Sequence, residues 1–187
     1  ELSDLRTRLL AIVVDKGLDH FDEPLQLASG EWSQDFIDAK RALADGPDLE
    51  VACRSMIEAA DDAGATWDAG GGLTMGADHF AHGVALLAGR HWFVVRKEPK
   101  GRGTNKLVEG WPLGPGDQVF LVDDVVTTGG SIQKAYHQVV ETGATVTFAA
   151  TIVDRGEVAR RFFDDLGVPY TPLLTYRDLE IPAIGGV

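Results

Sequence analysis

The segment from Val119 to Ile132, VFLVDDVVTTGGSI, constrains the fold more than any other part of the chain. It begins with an apolar, β-rich run, Val119 to Val122, which is typical of a strand that is buried on both faces of a sheet. Asp123 and Asp124 follow directly, so we expect both carboxylates at the C-terminal end of that strand. Open α/β sheets bind their ligands at this edge. The segment therefore predicts a parallel α/β sheet with a ligand site.

A loop rich in hydroxyl groups and glycine follows the acidic pair and leads into a helix. Ile132, Ala135 and Val139 recur at helical spacing, and Gly143 lies where that helix should end. Hydroxyls and backbone N–H groups at the start of a helix are a natural cradle for a phosphate. In an ordinary turn that binds nothing, the adjacent carboxylates would repel each other without a cation or sugar hydroxyls to compensate them. The segment thus predicts a phosphosugar site with the loop residues Thr127, Thr128, Gly129, Gly130 and Ser131.

The composition is that of an ordinary globular chain and disfavours several classes of protein. Its 187 residues suffice for a single domain, residues 1–187, with 44% hydrophobic and 25% charged residues. A net charge of −12 argues against a nucleic-acid binder. No apolar run is long enough to span a membrane and no leader pattern is visible, so we expect a cytoplasmic protein. Cys53 is the only cysteine, which excludes a disulfide framework.

The order of the predicted elements favours an α/β fold with a mostly parallel central sheet flanked by helices. A first helix carries Leu9 and Val13, and a loop from Gly17 to Pro24 follows it. Residues from about 1 to 45 are expected to form a small N-terminal hood. Strands and helices alternate from Trp67 onward. The predicted segments are a helix after Pro47 that ends at Gly64, a strand at 67–69, a turn of Gly70, Gly71 and Gly72, a helix from about Gly76, strands at 91–97, 145–153 and 170–174, and a helix at 157–166.

Residues from about 97 to 116 are rich in glycine, proline and charge and lack apolar periodicity, which predicts a long flexible loop. Loops of this length in compact domains are often lids that exclude water from a reacting centre. A solvated basic hairpin without a role is the alternative. Leu107 to Gly110 is expected to return the loop to the sheet. Five of the seventeen Lys and Arg residues lie within eleven positions here, namely Arg96, Lys97, Lys100, Arg102 and Lys106.

Around the acidic pair, the chain resembles the phosphoribosyltransferases of the type I fold. In that family the acidic pair contacts the ribose hydroxyls of phosphoribosyl pyrophosphate (PRPP), and the following loop binds its 5′-phosphate. No Walker A pattern is present, so a nucleoside triphosphatase is disfavoured. The segment FVVRKEPKGRGTNKLVEG, Phe93 to Gly110, closely resembles the flexible catalytic loop of orotate phosphoribosyltransferases. The resemblance covers nearly the whole chain, from about Leu25 to Leu174.

The resemblance implies which residues bind PRPP. Arg102 falls where many members have histidine, and an arginine can neutralise pyrophosphate but cannot replace a histidine that transfers a proton. Some members have a lysine near Gly71, which this chain lacks, so more of the neutralising charge falls on the loop and the metal. The implied catalytic residues are Asp123, Asp124, Lys100 and Arg102. The implied PRPP-binding residues are Arg96, Lys97, Lys100, Arg102, Asp123, Asp124, Val125, Val126, Thr127, Thr128, Gly129, Gly130, Ser131, Gly71 and Gly72.

The resemblance also implies an orotate site near the hood. LASGEWSQDFIDAK, Leu27 to Lys40, resembles the N-terminal motif of the family, although many members carry lysine in place of Ala28. An aromatic and an aliphatic residue are expected against the pyrimidine ring, and an arginine beyond a strand end is expected to pair with the orotate carboxylate. The implied orotate-binding residues are Phe36, Ile37, Thr127 and Arg155. Outside the family context, this arginine could instead form a surface ion pair with Asp154.

These matches predict an orotate phosphoribosyltransferase, which forms orotidine 5′-monophosphate and pyrophosphate from orotate and PRPP in UMP biosynthesis. The resemblance implies Mg²⁺ as the cofactor, held mainly by substrate oxygens near Asp123 and Asp124 and not assigned to a side-chain ligand. It also implies a homodimer, because loop cations of the family reach the neighbouring subunit's site. Two alternatives remain open: a phosphoribosyltransferase for a purine base, and a regulator of the same fold that binds PRPP without turnover.

Overall fold

Helices and strands alternate along most of the chain. The computed structural model describes residues 2–99 and 106–185. The strands are β1 (Leu18–Gln26), β2 (Trp32–Ile37), β3 (Ala69–Leu73), β4 (His91–Val95), β5 (Val108–Gly110), β6 (Gln118–Val126), β7 (Thr145–Asp154) and β8 (Tyr170–Thr175). The helices are α1 (Asp4–Lys16), α2 (Ala39–Ala42), α3 (Gly46–Asp62), α4 (Asp78–Ala88), α5 (Gly130–Glu141) and α6 (Val158–Leu166).

The main sheet has six strands in the order β5-β4-β3-β6-β7-β8. Neighbouring strands run parallel except β4 and β5, which are antiparallel. The predicted mostly parallel sheet is therefore confirmed, and β5 returns the basic loop to the sheet as expected. The carboxyl ends of β3, β4, β6 and β7 open at one edge, where a ligand site is expected.

Strand β6 extends further than its sequence indicates. The apolar run predicts an end at Val122, but the strand continues through both aspartates to Val126. Strand β7 runs beside it to the same point and pairs Asp154 with Val126, so the backbone groups after Val122 keep hydrogen-bond partners. The acidic pair therefore lies inside the strand, and the loop begins at Thr127.

Helices cover both faces of the main sheet. Successive residues of β6 alternate between the faces: Phe120 and Val122 pack with α1, α3 and α4, whereas Val119 and Leu121 pack with α5 and α6. All four side chains are at most 1% exposed. Burial on both faces explains the continuous apolar run that marks this strand in the sequence. Within the described ranges, no helix combines the length and the apolar character needed to cross a membrane.

A separate two-stranded antiparallel sheet, formed by β1 and β2, is the hood sheet. Strand β2 alternates exposed and buried residues, and Ser33, Asp35 and Ile37 face inward. This sheet covers residues 18–37, within the expected hood region. Its inner face turns toward the main sheet, where Ser33 Oγ and the Asp35 carbonyl oxygen accept hydrogen bonds from Arg155.

Two details of the N-terminal region differ from the sequence prediction. The predicted loop at 17–24 is wrong, because β1 occupies most of it. This strand is polar and mostly exposed, so it has no apolar alternation that could reveal it. Helix α1 does not belong to the hood sheet, since Leu9 and Val13 pack into the main core.

The run of glycines from Gly70 to Gly72 does not form the predicted turn. All three lie buried within β3. A Cβ at Gly71 would come within 2.1 Å of the Phe93 carbonyl oxygen, and one at Gly72 within 2.1 Å of the Val122 carbonyl oxygen. The glycines are therefore required by the close approach of neighbouring backbone. The turn itself follows at residues 74–77.

Candidate active site

A cavity of about 700 Å³ opens at the carboxyl edge of the main sheet, beneath the hood. It brings together the acidic pair, the whole loop from Val125 to Ser131, and Lys97. The predicted PRPP-binding residues Gly71 and Gly72 are not among its lining residues, because they are enclosed in β3. The remaining lining residues are Ala28, Ser29, Lys40, Leu73, Thr74, Met75 and Gly76.

The two carboxylates of the acidic pair have different surroundings. Asp123 is buried, and its Oδ1 accepts a hydrogen bond from the Asp124 backbone N–H at 3.0 Å. Burial, followed by the negative charge of Asp124, raises the pKa of Asp123 to about 8. Asp124 lies at the cavity surface, where its Oδ1 accepts from the Val125 N–H at 2.7 Å and its Oδ2 lies 2.9 Å from the Lys40 ammonium. Burial and the neighbouring charge therefore both favour the protonated form of Asp123.

Replacing Asp123 with asparagine is expected to stabilise the fold more at pH 8 than at pH 5. Because the pKa of Asp123 is raised in the folded state, the unfolded chain releases this proton at a lower pH than the folded chain does. Asp123 therefore lowers stability progressively as the pH rises from about 4 to about 8. Asparagine has no proton to lose and keeps an oxygen for the Asp124 N–H. We expect Tm at pH 8 to rise by at least roughly 2–4 °C, the shift that a stability gain of about 1 kcal/mol produces in a chain of this size.

Thermal unfolding at both pH values, with a matched control, tests this stability prediction. Asp164→Asn makes the same chemical change at an exposed position of α6 and should leave Tm nearly unchanged. If Asp123→Asn shifted Tm equally at pH 5 and pH 8, the raised pKa of the Asp123 carboxyl would be contradicted.

The loop after β6 leads into α5, and its shape depends on Gly129. Helix α5 begins at Gly130, and Gly129 before it has a φ of 77°, a left-handed conformation that favours glycine. The first N–H groups of a helix have no partner inside the helix, so they are available to an anion. Thr127, Thr128 and Ser131 line the same cavity and add their hydroxyls. This part of the site can bind a phosphate through neutral donors.

The turn after β3 lies against the acidic pair. A Cβ at Gly76 would come within 2.8 Å of Asp124 Oδ1 and within 3.1 Å of Asp123 Oδ1. Glycine at this position therefore leaves both carboxylates undisturbed. Thr74 Oγ1 donates to the Asp78 carboxylate at 2.8 Å, which ties the turn to the first residue of α4. The turn therefore lines the cavity where the sequence predicted that Gly71 and Gly72 would lie.

Lys40 is a residue of the site that sequence reasoning missed. It belongs to α2, just after the hood sheet, and its ammonium reaches Asp124, 84 positions later in the chain. Partial burial lowers the pKa of Lys40, but the hydrogen bond and the charge of Asp124 outweigh this effect and leave the pKa raised. The sequence contains one local indication of its importance, because Lys40 is the last residue of the family-like motif that begins at Leu27. Nothing in the sequence, however, links this lysine to the acidic pair.

Arg96 and Lys97 follow the end of β4 beside the main cavity. Lys97 lines that cavity directly. Arg96 instead donates from Nε to the Glu98 carbonyl oxygen at 3.2 Å, and its Nη1 lies 3.9 Å from a Glu109 carboxylate oxygen. Both basic residues also border an adjoining hollow of about 450 Å³. Of the two, Lys97 is thus the better placed to contact an anion in the main cavity.

Two of the predicted catalytic residues belong to the segment between β4 and β5. Lys100 and Arg102 lie outside the described residues, which stop at 99 and resume at 106. Their roles therefore stay predictions that rest on the family resemblance.

A smaller cavity of about 150 Å³ adjoins the main one. Phe36 and Ile37 of β2 and Arg155 beyond β7 contribute to its lining. Sites for drug-sized molecules span roughly 300–1,000 Å³, so this cavity suits one small ring. The two cavities share the lining residues Ala28, Ser29, Val125 and Thr127. A ring in the smaller cavity would therefore lie next to a sugar phosphate in the larger one.

Arg155 is buried, with 1% of its surface exposed, and joins the hood to the C-terminal segment. Its Nη1 donates to the Asp35 carbonyl oxygen at 2.8 Å, and its Nη2 donates to Ser33 Oγ at 3.1 Å and to the Pro182 carbonyl oxygen at 3.3 Å. Its Nε–H has no hydrogen-bond partner in the described part of the chain, so the guanidinium retains donor capacity. The alternative of a surface ion pair with Asp154 is wrong, because both residues are buried.

Comparison with known proteins finds relatives that are named orotate phosphoribosyltransferases. No protein-family model matches the chain. The orotate phosphoribosyltransferase of Methanothermobacter thermautotrophicus is 40% identical over 154 residues, which make up 82% of this chain and 83% of that protein. The orotate phosphoribosyltransferase of Aquifex aeolicus is 35% identical over 93% of this chain and 97% of its own length.

Solved structures give the same result. The crystal structure of Mycobacterium tuberculosis H37Rv orotate phosphoribosyltransferase in complex with Fe(III) dicitrate matches with a TM-score of 0.80 and 32% identity, covering 95% of this chain and 99% of that one. Adenine phosphoribosyltransferase from Thermoanaerobacter pseudethanolicus matches with a TM-score of 0.68 at 16% identity, covering 91% of this chain and 99% of that one, which shows a shared fold alone.

Proposed function

The chain belongs to the orotate phosphoribosyltransferase family, and we propose that its transfer reaction takes place where the two cavities described above meet. The fold of type I phosphoribosyltransferases, expected from the sequence, is confirmed by the solved relatives. The enzyme is a pentosyltransferase that moves the phosphoribosyl group of PRPP to orotate in pyrimidine biosynthesis. The observation that carries the proposed site is the wall shared by a phosphate-binding cavity and a ring-sized cavity.

The PRPP end of the reaction is assigned to the main cavity. Breaking the bond between ribose C1 and pyrophosphate leaves positive charge on the sugar and negative charge on the leaving group, so catalysis depends chiefly on electrostatics and positioning. Asp124 stabilises the cationic sugar, and Asp123 beneath it contacts a ribose hydroxyl. The loop from Thr127 to Ser131 holds the 5′-phosphate at the start of α5. The backbone of the turn at 74–77 takes the role first predicted for the glycines of β3.

The orotate ring is assigned to the smaller cavity. Phe36 and Ile37 pack against the ring, and Thr127 lies between the ring and the sugar. The unpartnered Nε–H of Arg155 is suited to the orotate carboxylate. Ser29 Oγ is also buried without a partner among the described residues, and it lines both cavities. These donors favour an acidic pyrimidine over a neutral base.

Mg²⁺ fits the donors that this site offers. The carboxylate of Asp124 and the carboxyl group of Asp123 supply hard oxygen atoms, and Gly76 keeps the space beside them free of a side chain. We assign no direct side-chain ligand, because PRPP oxygens and water would provide most of the coordination. When bound, Mg²⁺ supplies positive charge that neutralises pyrophosphate oxygens.

A homodimer with shared active sites is part of the proposal. Leu86 of α4 is 83% exposed and Trp92 of β4 is 41% exposed, and the Trp92 ring contacts His82 of the same helix. We propose that these two side chains belong to the dimer interface. Lys100 and Arg102 are proposed to reach pyrophosphate in the neighbouring subunit's site. We also propose that the reaction takes place in the cytoplasm, as the sequence predicts.

Replacing Gly76 with alanine is expected to lower kcat/KM for PRPP by about tenfold to a hundredfold, because displacing a catalytic group by about 1 Å has effects of this size. The added methyl group would press on both carboxylates. Steady-state pyrophosphate release measures the loss, and a thermal melt checks the fold. Gly114→Ala is the matched control, since a Cβ there meets no atom within 4 Å. Unchanged kinetics in Gly76→Ala would show that the acidic pair does not need its observed position.

A panel of bases tests the assignment of orotate. The protein is incubated with PRPP, Mg²⁺ and orotate, uracil, adenine or hypoxanthine, and pyrophosphate release is followed. We expect release with orotate and much less with uracil, which lacks the carboxylate that Arg155 would bind. Release with adenine or hypoxanthine but not with orotate would indicate a purine enzyme. Tight PRPP binding without release for any base would indicate a regulator.

A further inference from the structure

Lys40 connects the hood to the acidic pair through a contact that the proposed reaction must disturb. Its ammonium lies 2.9 Å from Asp124 Oδ2, while Asp124 Oδ1 already accepts from the Val125 N–H and faces Gly76. Oδ2 is therefore the carboxylate oxygen that a ribose hydroxyl can approach. A hydroxyl that donates to Oδ2 must compete with Lys40 for it.

The charges around the cavity show where a displaced Lys40 would go. Among the described lining residues, Lys40 and Lys97 are the cations, Asp124 is an anion, and Asp123 is a second carboxyl group whose charged form is disfavoured by burial. PRPP brings several negative charges into this space. The chain has alanine at position 28 and glycine at position 71, so neither position supplies a cation. Lys40, in α2 directly after the hood sheet, is thus the cation that contacts the acidic pair among the described residues.

The lysine can move without disturbing the core. Its side chain is 51% exposed, whereas that of Asp124 is 15% exposed. A flexible four-carbon stem lets a lysine ammonium change partners at little structural cost. An ammonium released from a carboxylate inside a cavity is stabilised by the nearest anion.

On the basis of the proposed function, we infer that Lys40 changes partners during the reaction. In the empty site it is the counterion of Asp124. When PRPP binds, the ribose hydroxyls take over Asp124 Oδ2, and Lys40 moves to an oxygen of the pyrophosphate group. Lys40 therefore contributes to binding of the leaving group and frees Asp124 for the sugar.

Calorimetric binding to the intact protein tests this exchange with three Mg²⁺-containing probes: PRPP, inorganic pyrophosphate and ribose 5-phosphate. Lys40→Met removes the charge and keeps much of the stem. It should weaken PRPP and pyrophosphate binding about tenfold, as expected for a charge-assisted hydrogen bond. Ribose 5-phosphate, which has no pyrophosphate, should bind as to the wild type or slightly more tightly. Lys40→Arg should restore most of the pyrophosphate affinity.

Lys16→Met is the matched control, because Lys16 also pairs with an aspartate, Asp48, but lies away from both cavities. It should leave all three affinities unchanged. Lys40→Gln replaces Lys40→Met if a thermal melt shows that the methionine variant is not folded. Unchanged pyrophosphate affinity in Lys40→Met would overturn the exchange, as would an equal loss for all three probes, since Lys40 would then merely hold Asp124 in place. Failure of the wild type to use orotate would reject the proposed function but leave these binding results interpretable.

Discussion

Asp124→Asn is expected to lower kcat about a hundredfold while changing PRPP affinity much less, because removing a group aimed at charge that develops in the transition state costs about 10²–10³ in kcat. Asparagine has nearly the same shape, and its oxygen can still accept from the Val125 N–H. It carries no negative charge to stabilise the cationic sugar. The loss should therefore fall on turnover and not on binding.

Steady-state kinetics and PRPP calorimetry on the same preparation separate these two effects. Asp164→Asn, the exposed substitution on α6, controls for the change in net charge and should behave as the wild type. A wild-type kcat in Asp124→Asn would remove Asp124 from the catalytic role assigned here. A loss confined to PRPP affinity would reduce it to a binding residue.

Mixing two inactive variants is expected to restore activity if loop cations act across a dimer. A heterodimer of Lys100→Ala and Asp124→Asn chains has one site with both defects and one site with neither. Each heterodimer should therefore show about half the activity of a wild-type dimer, because a symmetric dimer has two equivalent sites and only one of them is intact. The activity of the mixture after subunit exchange, with heterodimers verified by two affinity tags, measures this recovery.

A second pair of variants controls for unspecific effects of mixing. Gly76 and Asp124 lie in contact within one chain, so a heterodimer of Gly76→Ala and Asp124→Asn has one defect in each site. That mixture should show no recovery beyond the residual activity of Gly76→Ala. If the Lys100→Ala mixture also failed to recover in verified heterodimers, each site would be built from a single chain.

The parts of the site that are local in sequence could be predicted. Asp123, Asp124 and the loop to Ser131 follow one another, so a single segment of the sequence reveals the carboxyl, hydroxyl and backbone N–H groups that line the cavity. The order of strands and helices after Trp67 also predicts the parallel sheet, because burial on both faces leaves continuous apolar runs such as Val119 to Val122. The role of Arg155 rests on the family resemblance of its position beyond a strand end, and the structure places this residue in the lining of the ring-sized cavity.

The parts that depend on distant contacts could not be predicted. The pairing of Lys40 with Asp124 joins residues 84 positions apart, and no local pattern encodes it. The glycines around Gly71 suggest a turn by composition, and only the neighbouring carbonyl oxygens show that a strand requires them. Strand β1 is polar, includes Pro24 and has an irregular register, so it lacks the alternation of a half-buried strand.

The most direct test of the account is the stoichiometry of the reaction catalysed by the wild-type protein. PRPP, Mg²⁺ and limiting orotate are incubated with the enzyme, and orotate, pyrophosphate and orotidine 5′-monophosphate are quantified over time. We predict that one pyrophosphate and one orotidine 5′-monophosphate appear for each orotate consumed. Pyrophosphate release that does not depend on orotate, or PRPP binding without any orotate consumption, would contradict the claim that the two adjoining cavities form an orotate phosphoribosyltransferase site.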